Sequence, residues 1–225
     1  MDYRPFGISM QVAALATLVT FLLGLAAANF VCKMKRGKGI VDTIFTLPMI
    51  LPPTVMGFFL LQVFGRNGFI GRFLEEAFGV RIIFTMSAAV IAAIFVSFPM
   101  MYRTARGAFE QIDQNIIFAA ETLGFSKTKI FWKLKVPMAK SGILAGTVLA
   151  FARALGEFGA TIMLAGNIPG RTQTMSIAVW HAVSIGNTGL AYIWVAILSS
   201  ISFVVIMLMN YWADSIKRQR RKTQG

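Results

Sequence analysis

Arg153 and Glu157 stand four residues apart inside one long apolar run, Gly142–Ala165. On a helix that spacing places both on one face, and the run has its midpoint near Arg153. An ionised side chain at the bilayer centre costs about 2.5–3.5 kcal/mol, so such residues are functional candidates by default. Two readings stand open: a helix lining a polar path, or an internal ion pair that locks two helices together. Other reactive residue types are scarce. One cysteine, Cys32, and one histidine, His181, build neither an internal disulfide nor a Cys/His metal site. Cys32 reads as a small apolar residue near a helix end. No Gly-x4-Gly-Lys-Ser/Thr run exists to cradle nucleotide phosphates. No catalytic residue, metal or cofactor is therefore expected. Work against a gradient needs energy from another chain or from an ion.

The elements that must position this pair are membrane helices. Of 225 residues, 56% are hydrophobic and only 14% charged, with a mean hydropathy of +0.69. A soluble domain carries about 25% charge, so a soluble enzyme, a disordered chain and a coiled coil are all excluded. The net charge of +13 suits a nucleic-acid binder, but the hydrophobicity does not. An all-α, polytopic bundle in the lipid bilayer is the remaining class. A transmembrane helix needs about 20 mostly apolar residues. Ile8–Cys32, Ile82–Met101, Gly142–Ala165 and Leu190–Trp212 meet this plainly, and Gly39–Phe64 meets it with Pro48, Pro52 and Pro53 inside. Proline removes a donor and clashes with the preceding turn. The second run is therefore either a broken helix placed inside the bundle, where its freed backbone is satisfied, or a kinked packed helix.

Charge sets the orientation. Sixteen of the 22 basic residues fall in the Lys33–Lys38 loop, in the segment 103–140 and in the tail after Trp212. Basic residues stay cytoplasmic, so five spans are expected, with the N-terminus outside and the C-terminus inside. Thr174–Ile185 is too short to cross and reads as a re-entrant or interfacial helix rather than a sixth span. Gly65–Arg81 reads as a second short interfacial helix outside, with Phe69, Phe73 and Phe78 at helical spacing. Small residues four apart, Gly142/Gly146 and Gly156/Ala160, allow close helix approach. No internal repeat or linker divides 1–225, which reads as one membrane domain.

The cytoplasmic segment 103–140 predicts two amphipathic helices, Arg106–Leu123 and Ser126–Pro137, separated by Gly124 as a helix end. An apolar stripe on a cytoplasmic helix pair suits a docking partner, and its lysines also suit anionic lipid. Within it, Phe118-Ala119-Ala120-Glu121-Thr122-Leu123-Gly124, then nine residues, then Leu134-Lys135-Val136-Pro137, resembles the cytoplasmic signature of ABC importer permeases. Ala119, Ala120, Gly124 and Pro137 match that pattern. Phe118 replaces its usual Glu, Leu134 its Ile and Val136 its Leu, so one polar contact to an ATPase is in doubt. Ala152–Thr161, Gly166–Thr174 and Leu47–Gly57 closely resemble the molybdate permeases of that family. Sulfate permeases share a similar Arg-x-x-Gly-Glu stretch.

The resemblance implies a type I ABC importer permease fold. It also implies two copies of this chain around the pathway, two ATP-binding subunits docked on Ala119–Gly124, and an extracytoplasmic binding protein delivering molybdate or tungstate. ATP binding would draw the docked helices together and turn the pathway outward, and hydrolysis would reset it. No nucleic acid is expected as a partner. Thr54, Thr161, Asn167 and the backbone near Pro52-Pro53 are candidate donors to an oxyanion, beside Arg153 and Glu157.

Overall fold

The computed structural model describes residues 2–222, with side chains over 2–209 and at 211. Every regular element among them is helical. The first half runs α1 (Arg4–Lys33), α2 (Lys38–Ile50), α3 (Pro53–Phe64), α4 (Phe69–Phe78) and α5 (Met86–Glu110). The segment between α5 and α9 follows as α6 (Gln114–Thr122), α7 (Lys127–Ile130), a π-helical turn (Phe131–Lys135) and α8 (Val136–Met138). The chain closes with α9 (Lys140–Leu155), α10 (Gly159–Ala165), α11 (Met175–Ser184) and α12 (Thr188–Lys222). The basic tail residues Lys217, Arg218, Arg220, Arg221 and Lys222 lie on α12, and their side chains fall outside the described residues.

Helices α1, α5 and the first 22 residues of α12 are each long and apolar enough to cross a membrane. Two bent pairs raise the number to as many as five. In the first, α2 and α3 meet at 112°. Pro53 sits in the first turn of α3, and Pro52 has left the helix, so the second run is broken rather than kinked. The sequence places this run inside the bundle; in the protomer Met56, Gly57 and Leu60 of α3 are buried, but the break itself is open. Pro52, Pro53 and Thr54 are exposed, and so are Ile44, Leu47, Ile50, Phe58 and Phe59. In the second pair, the cytoplasmic segment turns by 78° into α9.

The expected continuous helix Gly142–Ala165 is also divided. It starts earlier, at Lys140, and breaks at Gly156–Phe158. Pieces of the cytoplasmic segment are redistributed as well. Arg103 and Arg106 belong to α5, which passes Met101 and ends at Glu110. The expected helix Arg106–Leu123 is thereby cut at Gln111–Asp113, where the Asp113 carboxylate caps α6 by accepting from Asn115 N at 2.9 Å. The short helices α4 and α11 lie where expected.

Small residues set the packing. The outer core joins α1 to α5 through Ala13, Ala16, Ala88, Ala89, Ala92 and Ala93. A Cβ on Gly142 would come within 2.5 Å of Ala108 Cβ, and one on Gly146 within 3.1 Å of Thr104 Cβ. These two glycines therefore hold α9 against α5, as their spacing predicts. Thr20 Oγ1 and Ser97 Oγ share a buried hydrogen bond of 3.2 Å between α1 and α5. The inner core runs without interruption from Leu25, Val31, Met101 and Phe109 into Ile117, Ala120 and Ile130. The long helices α1 and α5 and the segment 114–138 thus share one packed unit.

Candidate functional site

The pair Arg153/Glu157 forms, but across a helix end. Arg153 lies in the last turn of α9, where a cation complements the helix dipole. Gly156 N–H donates to Ala152 O at 3.2 Å and closes that helix. Glu157 then opens α10: its Oε1 accepts from Ala160 N at 2.7 Å. Its Oε2 stands 2.7 Å from Arg153 Nη1, with side-chain exposures of 1% and 29% for the acid and the base. One carboxylate therefore satisfies a buried helix start and a cation together. Arg153 is about 20 Å along α9 from Lys140, a depth that falls within a hydrocarbon layer of about 30 Å.

The two broken segments meet at this level. A Cβ on Gly159 would lie 2.8 Å from Pro53 Cβ and 3.1 Å from Thr54 N. One on Gly57 would lie 2.9 Å from Ala160 Cα and 2.8 Å from Met163 Cβ. The start of α10 is thereby seated on the start of α3. Gly57→Ala is expected to force these backbones apart, at a cost of about 1–3 kcal/mol. A lowered thermal midpoint of the purified protein measures it.

The remaining candidates divide. Thr54 is exposed at the free N-terminus of α3 beside the Pro52–Pro53 break. Thr161 is 1% exposed and turned into the core. Asn167 accepts from Gln173 Nε2 at 2.9 Å and braces the loop before α11. In that loop Thr172 Oγ1 accepts from Ile168 N at 3.0 Å, and Ser9 Oγ of α1 accepts from Met175 N at 2.8 Å. Thr161 and Asn167 are thus occupied in packing and bracing, whereas Thr54 is open.

The segment 114–138 presents a second candidate site. On α6, Ile117 and Ala120 point into the core, while Phe118 is 58% and Leu123 75% exposed. Ala119, Glu121 and Thr122 are exposed as well. Gly124 ends the unit with φ +76°, a left-handed conformation that glycine adopts freely. Its N–H and that of Phe125 donate to Glu121 O and Ala120 O, at 2.9 and 3.1 Å. Ser126 Oγ caps the next helix by accepting from Lys129 N at 3.3 Å. Leu134 is half-buried in the π turn and Pro137 is exposed in α8.

One polar cluster escaped the sequence reading. Arg106 of α5 bonds Asp42 of α2 through Nη1, and its Nε donates to Glu110 Oε1 at 3.0 Å. Tyr102 Oη donates to Asp42 Oδ1 at 2.9 Å, and Lys38 Nζ to Glu110 at 2.6 Å. This ties the inner half of the broken span to the helix that leads into α6. The available signal was Asp42, the one charged residue in Gly39–Phe64. Its partner is 64 positions away, beyond any local pattern.

The helices and their breaks define a multi-pass membrane protein. The chain belongs to the family of binding-protein-dependent transport system inner membrane components, whose model matches residues 20–222. It is 45% identical over 209 residues to YvgM of Bacillus subtilis (strain 168), which carries the name of a molybdenum transport system permease protein. That match covers 92% of each chain. It is 39% identical to the molybdenum transport system permease protein ModB of Escherichia coli (strain K12), across 97% of this chain and 96% of that one. The fold matches a solved inward-facing MetNI methionine ABC transporter with a TM-score of 0.71, at 15% identity, covering 95% of this chain and 94% of that one.

Proposed function

We propose that this chain is the pathway-forming subunit of an ATP-driven importer that carries molybdate into the cell. Two copies enclose the path, two ATP-binding subunits dock on Phe118–Gly124, and an extracytoplasmic binding protein delivers the anion. The observation that carries this is the exposed break at Pro52–Thr54. Irregular backbone at membrane depth is tolerated only against protein or a water-filled cavity, never against lipid. The face holding Pro52, Pro53, Thr54 and the half-buried Arg153 therefore looks onto the second copy and the path between them. There the start of α3 offers backbone N–H donors and Thr54 a hydroxyl, while Glu157 tempers Arg153 so that an anion is drawn in without being trapped. ATP hydrolysis resides in the partner subunit. The exposed apolar residues Phe118 and Leu123, set in an otherwise charged segment, are the contact surface for it.

The five-span arrangement, N-terminus outside, belongs to this proposal. A Gln219→Cys protein is expected to react with a membrane-impermeant thiol reagent only from the cytoplasmic side; labelling from outside would overturn the arrangement. For the substrate, uptake of labelled molybdate is expected to be suppressed by excess molybdate or tungstate and little by sulfate. Suppression by sulfate alone would turn the assignment to a sulfate importer. Uptake that persists without a co-purifying ATP-binding subunit would make the protein a secondary transporter instead.

A further inference from the structure

We propose that the cavity between the inner end of α1 and the coupling segment binds the phosphate-bearing head group of an acidic phospholipid of the cytoplasmic leaflet. The cavity holds about 550 Å³. Lys33 and Lys35 line it from the end of α1, Lys127 from α7 and Lys135 from the π turn, against one acid, Glu121. Among the described residues none of these four lysines has a carboxylate within 4.0 Å. Nearby lysines are engaged elsewhere: Lys38 holds Glu110 at 2.6 Å, and Lys129 lies over the Phe125 ring at 4.0 Å. Four cations around one space repel each other, and an anion placed among them removes that cost. Asn29 lines the same cavity.

Depth favours a lipid over a free ion. The apolar run Ile8–Cys32 is about 37 Å long as a helix, against a hydrocarbon layer of about 30 Å. Lys33 and Lys35 consequently stand among the head groups, where basic pockets between helices take acidic lipids. Phe30, one turn before Lys33, is 58% exposed and offers apolar surface to an acyl chain. A head group held here bridges α1 to α7 and the π turn, and so braces the segment that carries α6. The inference rests on the inward placement of the Lys33–Lys38 loop and not on which oxyanion is carried.

The test uses the full importer, extracted and exchanged into neutral detergent, with bound lipid identified by mass spectrometry. Wild type is expected to retain one phosphatidylglycerol or cardiolipin per permease chain. Retention falls roughly five-fold for each lysine changed among Lys33→Gln, Lys127→Gln and Lys135→Gln, and arginine at the same positions restores it. Should the triple variant not assemble, Lys33→Gln alone, outside the coupling segment, carries the measurement. Equal retention in wild type and variants overturns the proposal. So does displacement of the lipid by inorganic phosphate that stays bound in its place, which would make the site one for a free anion. Lipid found on the permease alone but lost on adding the ATP-binding subunit also overturns it, because that subunit then fills the cavity. Thiol labelling at position 219 reads the orientation separately, so failure of the topology and failure of lipid retention are distinguishable.

Discussion

Glu157→Gln should abolish uptake, with at least a ten-fold fall in initial rate, while the protein still inserts. Glutamine keeps an acceptor for Ala160 N–H, so α10 retains its start. It removes the charge that faces Arg153 at 2.7 Å. Breaking a buried pair by removing one partner costs about 3–5 kcal/mol, because the remaining charge is left uncompensated. Arg153 is 29% exposed, so the cost falls at the lower end, and the freed guanidinium turns toward the path and holds the anion it should pass. Glu157→Ala removes the cap as well and is expected to lower the thermal midpoint further than glutamine does. Transport assay and thermal unfolding of the two variants separate the roles. Wild-type uptake in both would leave the pair a bystander.

Ala120→Asp should release the ATP-binding subunit. Ala120 is 5% exposed and packs with Ile117 and Ile130 in the inner core. A carboxylate there has no partner, and an unpaired buried charge is far more costly than an unmade neutral hydrogen bond. The nine residues of α6 are held mainly by Ile117 and Ala120, so the helix swings out rather than bury the charge. Co-purified ATP-binding subunit is expected to drop at least ten-fold while the permease stays in the membrane fraction. Ala119→Asp, on the exposed face, leaves α6 folded and tests the contact surface alone. Unchanged co-purification in both variants would remove the docking role from this segment.

A coupling route follows from the same packing. Ile117 and Ala120 of α6 pack in one core with Phe109 at the end of α5, so movement of α6 is expected to reach α5 there. The Arg106–Asp42 ion pair then links α5 to α2, the inner half of the broken span. Arg106→Ala should therefore leave ATP-binding subunit on the complex but lower uptake per ATP hydrolysed, by roughly ten-fold. Measuring transport and hydrolysis on the same vesicles checks it; an unchanged ratio refutes the route.

Composition and local pattern alone determined the class. Hydrophobic runs of helical length, basic loops, the short amphipathic helices and the turn at Gly124 all depend on residues close in sequence, which is why they were legible. Arg153 and Glu157 were legible as a pair for the same reason. Three features were not. No proline marks the break at Gly156–Phe158 in Gly142–Ala165. It exists because Glu157 captures Ala160 N–H and Gly159 fits against Pro53, a residue more than a hundred positions away. The broken second span was expected inside the bundle; in the single protomer one side of α3, Met56, Gly57 and Leu60, packs into the core while the break at Pro52–Thr54 stays exposed. The tie between Asp42 and Arg106 joins α2 to α5 across 64 positions of sequence. Sequence thus determined that the chain is built to cross a membrane and which runs are long and apolar enough to do so. Tertiary packing decided where the backbone opens at membrane depth, since only long-range contacts select which apolar helix ends are covered and which stay open to a path.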